Sequence, residues 1–220
     1  MTMDHRRNRS TLALAVLSLL GEAERYGEGA LHPYRMQQLI KERGKDEVVN
    51  VGQRASLYRT IERLEKAGLV HAARTAQDPG RPERTLYALT EQGRVVWREW
   101  MLDVLATPGR DFPEFPAAIA FIPLLTPQDV REQLDRRAAA LRTKLSRMDE
   151  KSEEVAWLPM FLALESEYQR AALVFELDWV TAVLADLASG SLTWDEQWLR
   201  AQGEPRHRSA RAARADHPAR

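Results

Sequence analysis

One stretch, Val49 to Leu89, restricts the fold more than any other: VNVGQRASLYRTIERLEKAGLVHAARTAQDPGRPERTLYAL. Leu57, Ile61 and Leu64 recur at helical spacing and predict a helix over roughly Gln53 to Lys66 with one apolar face. Arg54, Arg59, Arg63 and Lys66 fall off that face and point to water. Ala67-Gly68 ends the helix, with Gly68 suited to the left-handed position after a helix C-terminus. Leu69 to Arg74 predicts a strand. Asp78-Pro79-Gly80-Arg81-Pro82 can continue neither element and reads as a turn. Arg84 to Leu89 is the returning strand. A short basic-faced helix followed at once by a two-stranded ribbon with arginines at its tip is the outline of a winged helix.

The flanking sequence fits that outline. Ser10 can cap a first helix from Thr11 to about Gly21, with Leu12, Val16, Leu17 and Leu20 facing a core. Glu22 to Leu31 holds two glycines and reads as a loop. His32-Pro33-Tyr34 opens a second helix that ends near Gly44, with Met36, Leu39 and Ile40 as its apolar stripe. Lys45 to Gly52 connects it to the basic helix. After the ribbon, Thr90 caps a further helix in which Val95, Val96, Trp97, Trp100, Met101, Val104 and Leu105 make one side apolar. Thr107-Pro108-Gly109-Arg110 breaks that helix.

The second half is helical throughout. Phe112 to Leu125 reads as a short helix or turn cluster. Thr126-Pro127-Gln128-Asp129 combines an N-cap, a proline at the first helical position and an acid at the third. The helix it opens reaches about Glu154. Val130, Leu134, Ala138, Leu141, Leu145, Met148, Ser152 and Val155 follow at spacings of three and four, a coiled-coil-like seam. Pro159 interrupts, and Met160 to Ala188 predicts a last long helix lined by Phe161, Leu164, Tyr168, Ala172, Phe175, Trp179 and Val183. Leu192 to Leu199, with Trp194 and Trp198, reads as a last short turn. The expected organisation is a winged domain over 1–106, a helical dimerisation and effector domain over 107–202, and a disordered basic tail over 203–220. The fold class is mainly α, with a small two-stranded β-wing.

Composition excludes several classes. With 220 residues the chain can bury one good core or two small ones. It has no cysteine, so disulfides and thiolate metal sites are excluded. The apolar run from Thr11 to Leu20 is short and lacks a cleavage site, which favours a cytoplasmic helix over a signal peptide. No run approaches the roughly 20 residues of a membrane helix. The net charge is zero, but unevenly distributed. Residues 1–106 hold 17 Lys/Arg against 14 Asp/Glu, residues 107–202 hold 10 against 16, and residues 203–220 hold 5 against 2. Different segments are therefore expected to meet different partners. His5, His32, His71, His207 and His217 are scattered, and none pairs at metal-ligand spacing on one helix. There is neither a phosphate-cradling glycine loop nor a Gly-x-Ser-x-Gly elbow, so no enzyme and no cofactor is expected.

Taken in order, several fragments resemble the PadR family of winged helix-turn-helix transcriptional regulators. They are Leu14-Ala15-Val16-Leu17, His32-Pro33-Tyr34, Ala55-Ser56-Leu57-Tyr58, Arg63-Leu64-Glu65-Lys66-Ala67-Gly68-Leu69-Val70, Gly80-Arg81-Pro82, and Leu86-Tyr87-Ala88-Leu89-Thr90-Glu91-Gln92-Gly93-Arg94. They cover about residues 10–106. Pro33 and Ala55 stand where the family usually has glycines. The C-terminal half matches only in pattern. The resemblance implies a homodimer joined through the C-terminal helices, bound to double-stranded DNA at a near-palindromic operator, usually as a repressor. It also implies release of DNA on binding a small aromatic ligand.

The expected DNA contacts are Gln53, Arg54, Ser56, Arg59 and Arg63 on the 53–66 helix, and Arg81 and Arg84 on the 70–89 wing. Family position adds the hydroxyls of Tyr58 and Tyr34 as phosphate contacts. Arg6, Arg7 and Arg9 could form an arm toward DNA. The ordinary alternative is solvated charge at Arg59 and Arg63, a half-core Tyr58, and helix-surface pairs between Glu62 or Glu65 and Arg63 or Lys66. Trp97, Trp100, Trp157 and Trp179 sit on expected helices that would meet at the dimer core and could stack on a flat ligand. The ordinary alternative is that they anchor cores and interfaces. A rival reading from another class is a winged-helix protein-interaction module that does not touch DNA.

Overall fold

The computed structural model describes residues 8–76, 84–109, 113–195, 197, 199 and 200. It divides into two compact units that part between Asp111 and Phe112.

The first unit begins with α1 (Thr11–Arg25). The Ser10 hydroxyl accepts the Ala13 N–H at 3.1 Å, as an N-cap should. This helix runs four residues beyond the end expected at Gly21. A glycine inside a helix costs about 1 kcal/mol relative to alanine. Here tertiary contacts offset it: Ala23 continues the buried face, while Glu22 and Glu24 accept from Arg43 at 2.5 Å and Arg94 at 2.6 Å. The loop expected from Glu22 thus starts only at Tyr26. Helix α2 (Pro33–Glu42) follows, with His32 as its N-cap, and a 3₁₀ turn (Lys45–Glu47) leads to α3 (Arg54–Lys66). Leu57, Ile61 and Leu64 of α3 are fully buried beside Thr60.

Strands β1 (Val70–Ala76) and β2 (Arg84–Leu89) pair antiparallel from Val70↔Leu89 to Ala76↔Arg84, with an irregularity between Ala72 and Arg74. Leu31 and Tyr87 exchange two backbone hydrogen bonds of 2.9 Å, so the segment entering α2 bridges to the wing. Gly68 closes α3 with φ of +70°. Helix α4 (Glu91–Ala106) then crosses so close to the start of β1 that a Cβ at Gly93 would lie 2.0 Å from the Leu69 carbonyl oxygen. The expected single apolar side of α4 divides in two. Val96 and Trp100 enter the core with α1, whereas Val95, Val104 and Leu105 are exposed. Residues 95, 96, 104 and 105 cannot share one stripe at 100° per residue.

The second unit contains α5 (Glu114–Ile119), a 3₁₀ turn (Ile122–Leu124), α6 (Pro127–Glu154) and α7 (Met160–Ser189). Thr126 and Asp129 form a reciprocal capping box at the start of α6. Val130, Leu134, Ala138 and Leu141 of the expected seam are buried, but the seam loosens beyond them and Val155 is exposed. Their partners on α7 are Leu173, Leu177, Val180, Leu184 and Leu187. The line expected to be covered on α7 lies largely on another face: Phe161, Leu164, Tyr168 and Phe175 are exposed, while Trp179 and Val183 pack partly. Helix α7 therefore carries apolar side chains on two faces, and the hairpin covers one. The Trp194 indole N–H donates to the Leu125 carbonyl at 2.8 Å and holds the chain after α7 against this unit. No helix among the described residues is long and apolar enough to cross a membrane.

Candidate nucleic-acid interface

Burial of Leu57, Ile61 and Leu64 leaves Gln53, Arg54, Tyr58, Arg59 and Arg63 exposed, with Ser56 half-buried at the edge. Gln53 is the N-cap of α3, yet its side chain makes no capping bond, and no acid stands in the first turn. The helix therefore opens with the positive end of its dipole and no side-chain cap on its first N–H groups. The start of α2 lies alongside. The Arg54 guanidinium sits 5.6 Å from the centre of the Tyr34 ring, within cation–π range. Gln38 Nε2 donates to the Tyr34 hydroxyl at 3.4 Å. Pro33, Tyr34, Gln37, Arg54, Leu57 and Tyr58 enclose a small cleft. Tyr34 and Tyr58, both about half exposed, thus border the same surface as Arg54.

The other arginines differ. Arg59 Nε donates to the Ala55 carbonyl of its own helix at 3.1 Å and has no acidic partner among the described residues. Arg63 reaches back to the segment before α1, 3.5 Å from the Asn8 carbonyl and 3.4 Å from the Ser10 hydroxyl. Glu62 accepts from Lys66 at 2.7 Å, which holds its carboxyl below the ordinary range. Arg84 opens β2, and Arg81 lies outside the described residues, as do Arg6 and Arg7. Arg9 is described and pairs with Asp103 of α4.

Two residues outside the expected DNA contacts, His32 and Gln37, support this surface. His32 caps α2 through Nδ1, which accepts the Tyr34 N–H at 3.1 Å. Burial, followed by the nearby Arg84 charge, lowers the His32 pKa and keeps that nitrogen free to accept. Gln37 is buried, and its amide donates to the Val51 carbonyl at 2.8 Å. A polar residue between Met36 and Ile40 was the available signal.

Trp97 and Trp100 lie in the first unit, Trp157 and Trp179 in the second. Trp100 is fully buried in the first core, and its indole nitrogen has no partner among the described residues. Trp97 donates to the Ser18 hydroxyl at 2.9 Å. Trp179 packs edge-on against Phe115 at 6.0 Å. Trp157 does not sit on a helix as expected. It lies in the turn between α6 and α7, 78% exposed. The described residues contain no cluster of His, Asp and Glu able to hold a metal ion.

A three-helix core with a two-stranded wing and an exposed basic α3 matches one family over residues 16–99, the transcriptional regulator PadR-like family. Over these residues the chain carries a PadR-like domain. That family consists of regulators, not enzymes. No curated protein matches the chain. Among solved structures, Bacillus subtilis PadR in complex with operator DNA superposes with a TM-score of 0.64 at 20% identity, covering 81% of this chain and 99% of that one. The same protein with p-coumaric acid gives 0.62 at 18% identity, with the same coverage. The Vibrio cholerae virulence activator AphA gives 0.57 at 17% identity, covering 81% and 98%. These likenesses extend the PadR-like fold to the helical half as well.

Proposed function

We propose that this PadR-like regulator acts as a homodimeric repressor on a near-palindromic operator, reading bases with the N-terminal half of α3 and gripping phosphates with the wing. The observation that carries the reading is the surface shared by α2 and α3. Gln53, Arg54 and Arg59 stand exposed at an uncapped helix N-terminus, with the hydroxyls of Tyr34 and Tyr58 beside them. Recognition helices of this class present their N-terminal residues to base edges in the major groove. Gln53 and Arg54 suit adenine and guanine edges, and Ser56 suits either. Arg81 and Arg84 supply the wing contacts.

The second copy is argued from α7. Its outward line of Phe161, Leu164, Tyr168 and Phe175 continues for several turns, and a helix apolar on more than one face is buried on more than one face. Self-association also sets the spacing of two recognition helices, about 34 Å for successive turns of B-DNA. The p-coumaric acid complex of the Bacillus subtilis protein supports a small aromatic effector here too. Its action would be to alter the spacing of the two recognition helices. Of the four tryptophans, Trp157 in the helical unit is the most accessible to such a ligand, whereas Trp100 is fully buried in the winged unit.

The test is selection of duplexes from a random-sequence pool by the intact dimer, followed by gel shifts on the DNA upstream of its own gene. A near-palindromic sequence is expected. A dimer that selects nothing and fails to bind at low salt overturns the reading in favour of a protein-interaction module. Reporter expression from the selected site separates repression from the activation that the name of AphA records.

A further inference from the structure

We infer that Gln37, which need not touch DNA, sets the operator discrimination of this regulator by fixing the launch point of α3. The inference rests on the DNA-binding reading above.

The observations concern the five residues before α3. Gln37 is 8% exposed and belongs to α2, and its Nε2 donates 2.8 Å to the Val51 carbonyl across 14 residues of sequence. Val51 is itself buried, so this hydrogen bond is shielded from water. The following residue is held separately, since the Asn50 side chain accepts the Gly52 N–H at 3.2 Å. Gln53 comes next, extended, with no capping bond of its own. The first turn of α3 is thus positioned from outside the helix, by one carboxamide on α2 and one local turn. Gln53 and Arg54 lie two and three residues beyond the tethered carbonyl.

That arrangement separates affinity from discrimination. Sequence-independent affinity comes from cations near phosphates and tolerates displacement, because Coulomb attraction varies slowly with distance. Base reading needs donors held to within about 0.5 Å of their acceptors. Loosening Val51 therefore leaves the charges in place and blurs the reading. Gln37 also sits on the same helix as Tyr34, whose ring underlies Arg54. Its tether accordingly fixes α3 relative to the element that orients Arg54.

The experiment compares the intact wild-type dimer with Gln37→Leu, which keeps an apolar-sized side chain but cannot donate. Ile40→Val, buried on the same helix, serves as a variant that loosens packing without cutting the tether. Binding is measured to the duplex that the wild type selects from a random pool and to a scrambled duplex, across a salt series. Amide hydrogen exchange of residues 49–56 is followed in parallel. For Gln37→Leu we expect about a tenfold loss of preference for the selected duplex, from one lost hydrogen bond. Scrambled-duplex affinity and salt slope stay unchanged, and exchange at residues 49–56 speeds up. For Ile40→Val the preference persists even where its melting temperature falls as far. Retained preference in Gln37→Leu, or equal loss in both variants, overturns the inference while leaving the regulator reading intact. A wild type without any selected duplex overturns both.

Discussion

Replacing Phe175 by serine tests the proposed second copy directly. Phe175 is 72% exposed and takes no part in the cluster that holds α6 against α7. Full burial of a phenylalanine side chain is worth roughly 1.5–3 kcal/mol. With most of that surface still outside, a partner can recover about 1–2 kcal/mol from each copy. A twofold interface uses the same residue twice. Phe175→Ser should therefore cost about 2–4 kcal/mol of association, roughly a 30- to 900-fold rise in the dimer Kd. Sedimentation equilibrium over a micromolar range reads this shift, and far-UV circular dichroism checks that the helices persist. Helix content should hold because Val180, Leu177 and Leu173 pack on the other face. A variant that dimerises as tightly as the wild type, with helices intact, would refute the assignment of this face. So would a wild type that stays monomeric at tens of micromolar.

Three further outcomes follow from particular contacts. Arg54→Ala should cost roughly 1–3 kcal/mol on the selected operator if it reads a base, and a uniform loss across sequences with a shallower salt slope marks it instead as a phosphate contact. Gly93→Ala should destabilise the winged unit by about 3 kcal/mol or more, because its Cβ meets the Leu69 carbonyl at 2.0 Å; a melting temperature near wild type would contradict this. His32 has a lowered pKa in the folded chain, through burial and then Arg84, so its contribution to stability is fully present above about pH 6.5. As pH falls below that value the unfolded chain takes up the proton first, and the contribution is lost once the folded pKa is passed. Thermal melts between pH 8 and 5 should show less slope in His32→Asn, which keeps a capping side chain without the titration.

The sequence made legible those elements whose cause is local. The residues of α3, Gly68 and β2 announce themselves through spacing, a left-handed closing glycine and a proline-rich turn, and the structure follows them almost to the residue. Thr126 to Asp129 is local in the same sense. What went unread depends on partners distant in sequence. Helix α1 passes through Gly21 because Arg43 and Arg94 reach its last turn. The spacing on α7 predicts one apolar line where the helix has two, since periodicity cannot say which face meets α6. Gln37 reads as an ordinary polar residue until Val51 is seen opposite it. For Arg63 the sequence offers pairing with Glu62 or Glu65 as the alternative to DNA contact, and only the structure shows that the segment before α1 engages it.

That engagement divides α3 into two electrostatic halves. The N-terminal half carries Arg54 and Arg59 without acidic partners among the described residues. In the C-terminal half Glu62 is held ionised by Lys66, and Arg63 is occupied by Asn8 and Ser10. The Tyr87 hydroxyl on β2 senses the same field. Its pKa is raised by burial first, and then by Glu65, Tyr58 and Glu62. A phosphate approaching the C-terminal half therefore meets Glu62 and Glu65 beside the engaged cations Arg63 and Lys66, whereas one approaching the N-terminal half meets Arg54, Arg59 and a helix N-terminus without a side-chain cap. The helix should enter the groove by its N-terminus, with Glu62 and Glu65 left near the rim. Neutralising them by Glu62→Gln and Glu65→Gln then removes repulsion without touching a base contact. Affinity for selected and scrambled duplexes should rise together, roughly two- to fivefold at low salt, and the gain should fade as the Debye length shrinks toward 3 Å near 1 M salt. A gain confined to the selected duplex would place these carboxylates against bases and reverse the docking polarity. A loss of affinity would show instead that the pairing of Glu62 with Lys66 supports the bound helix.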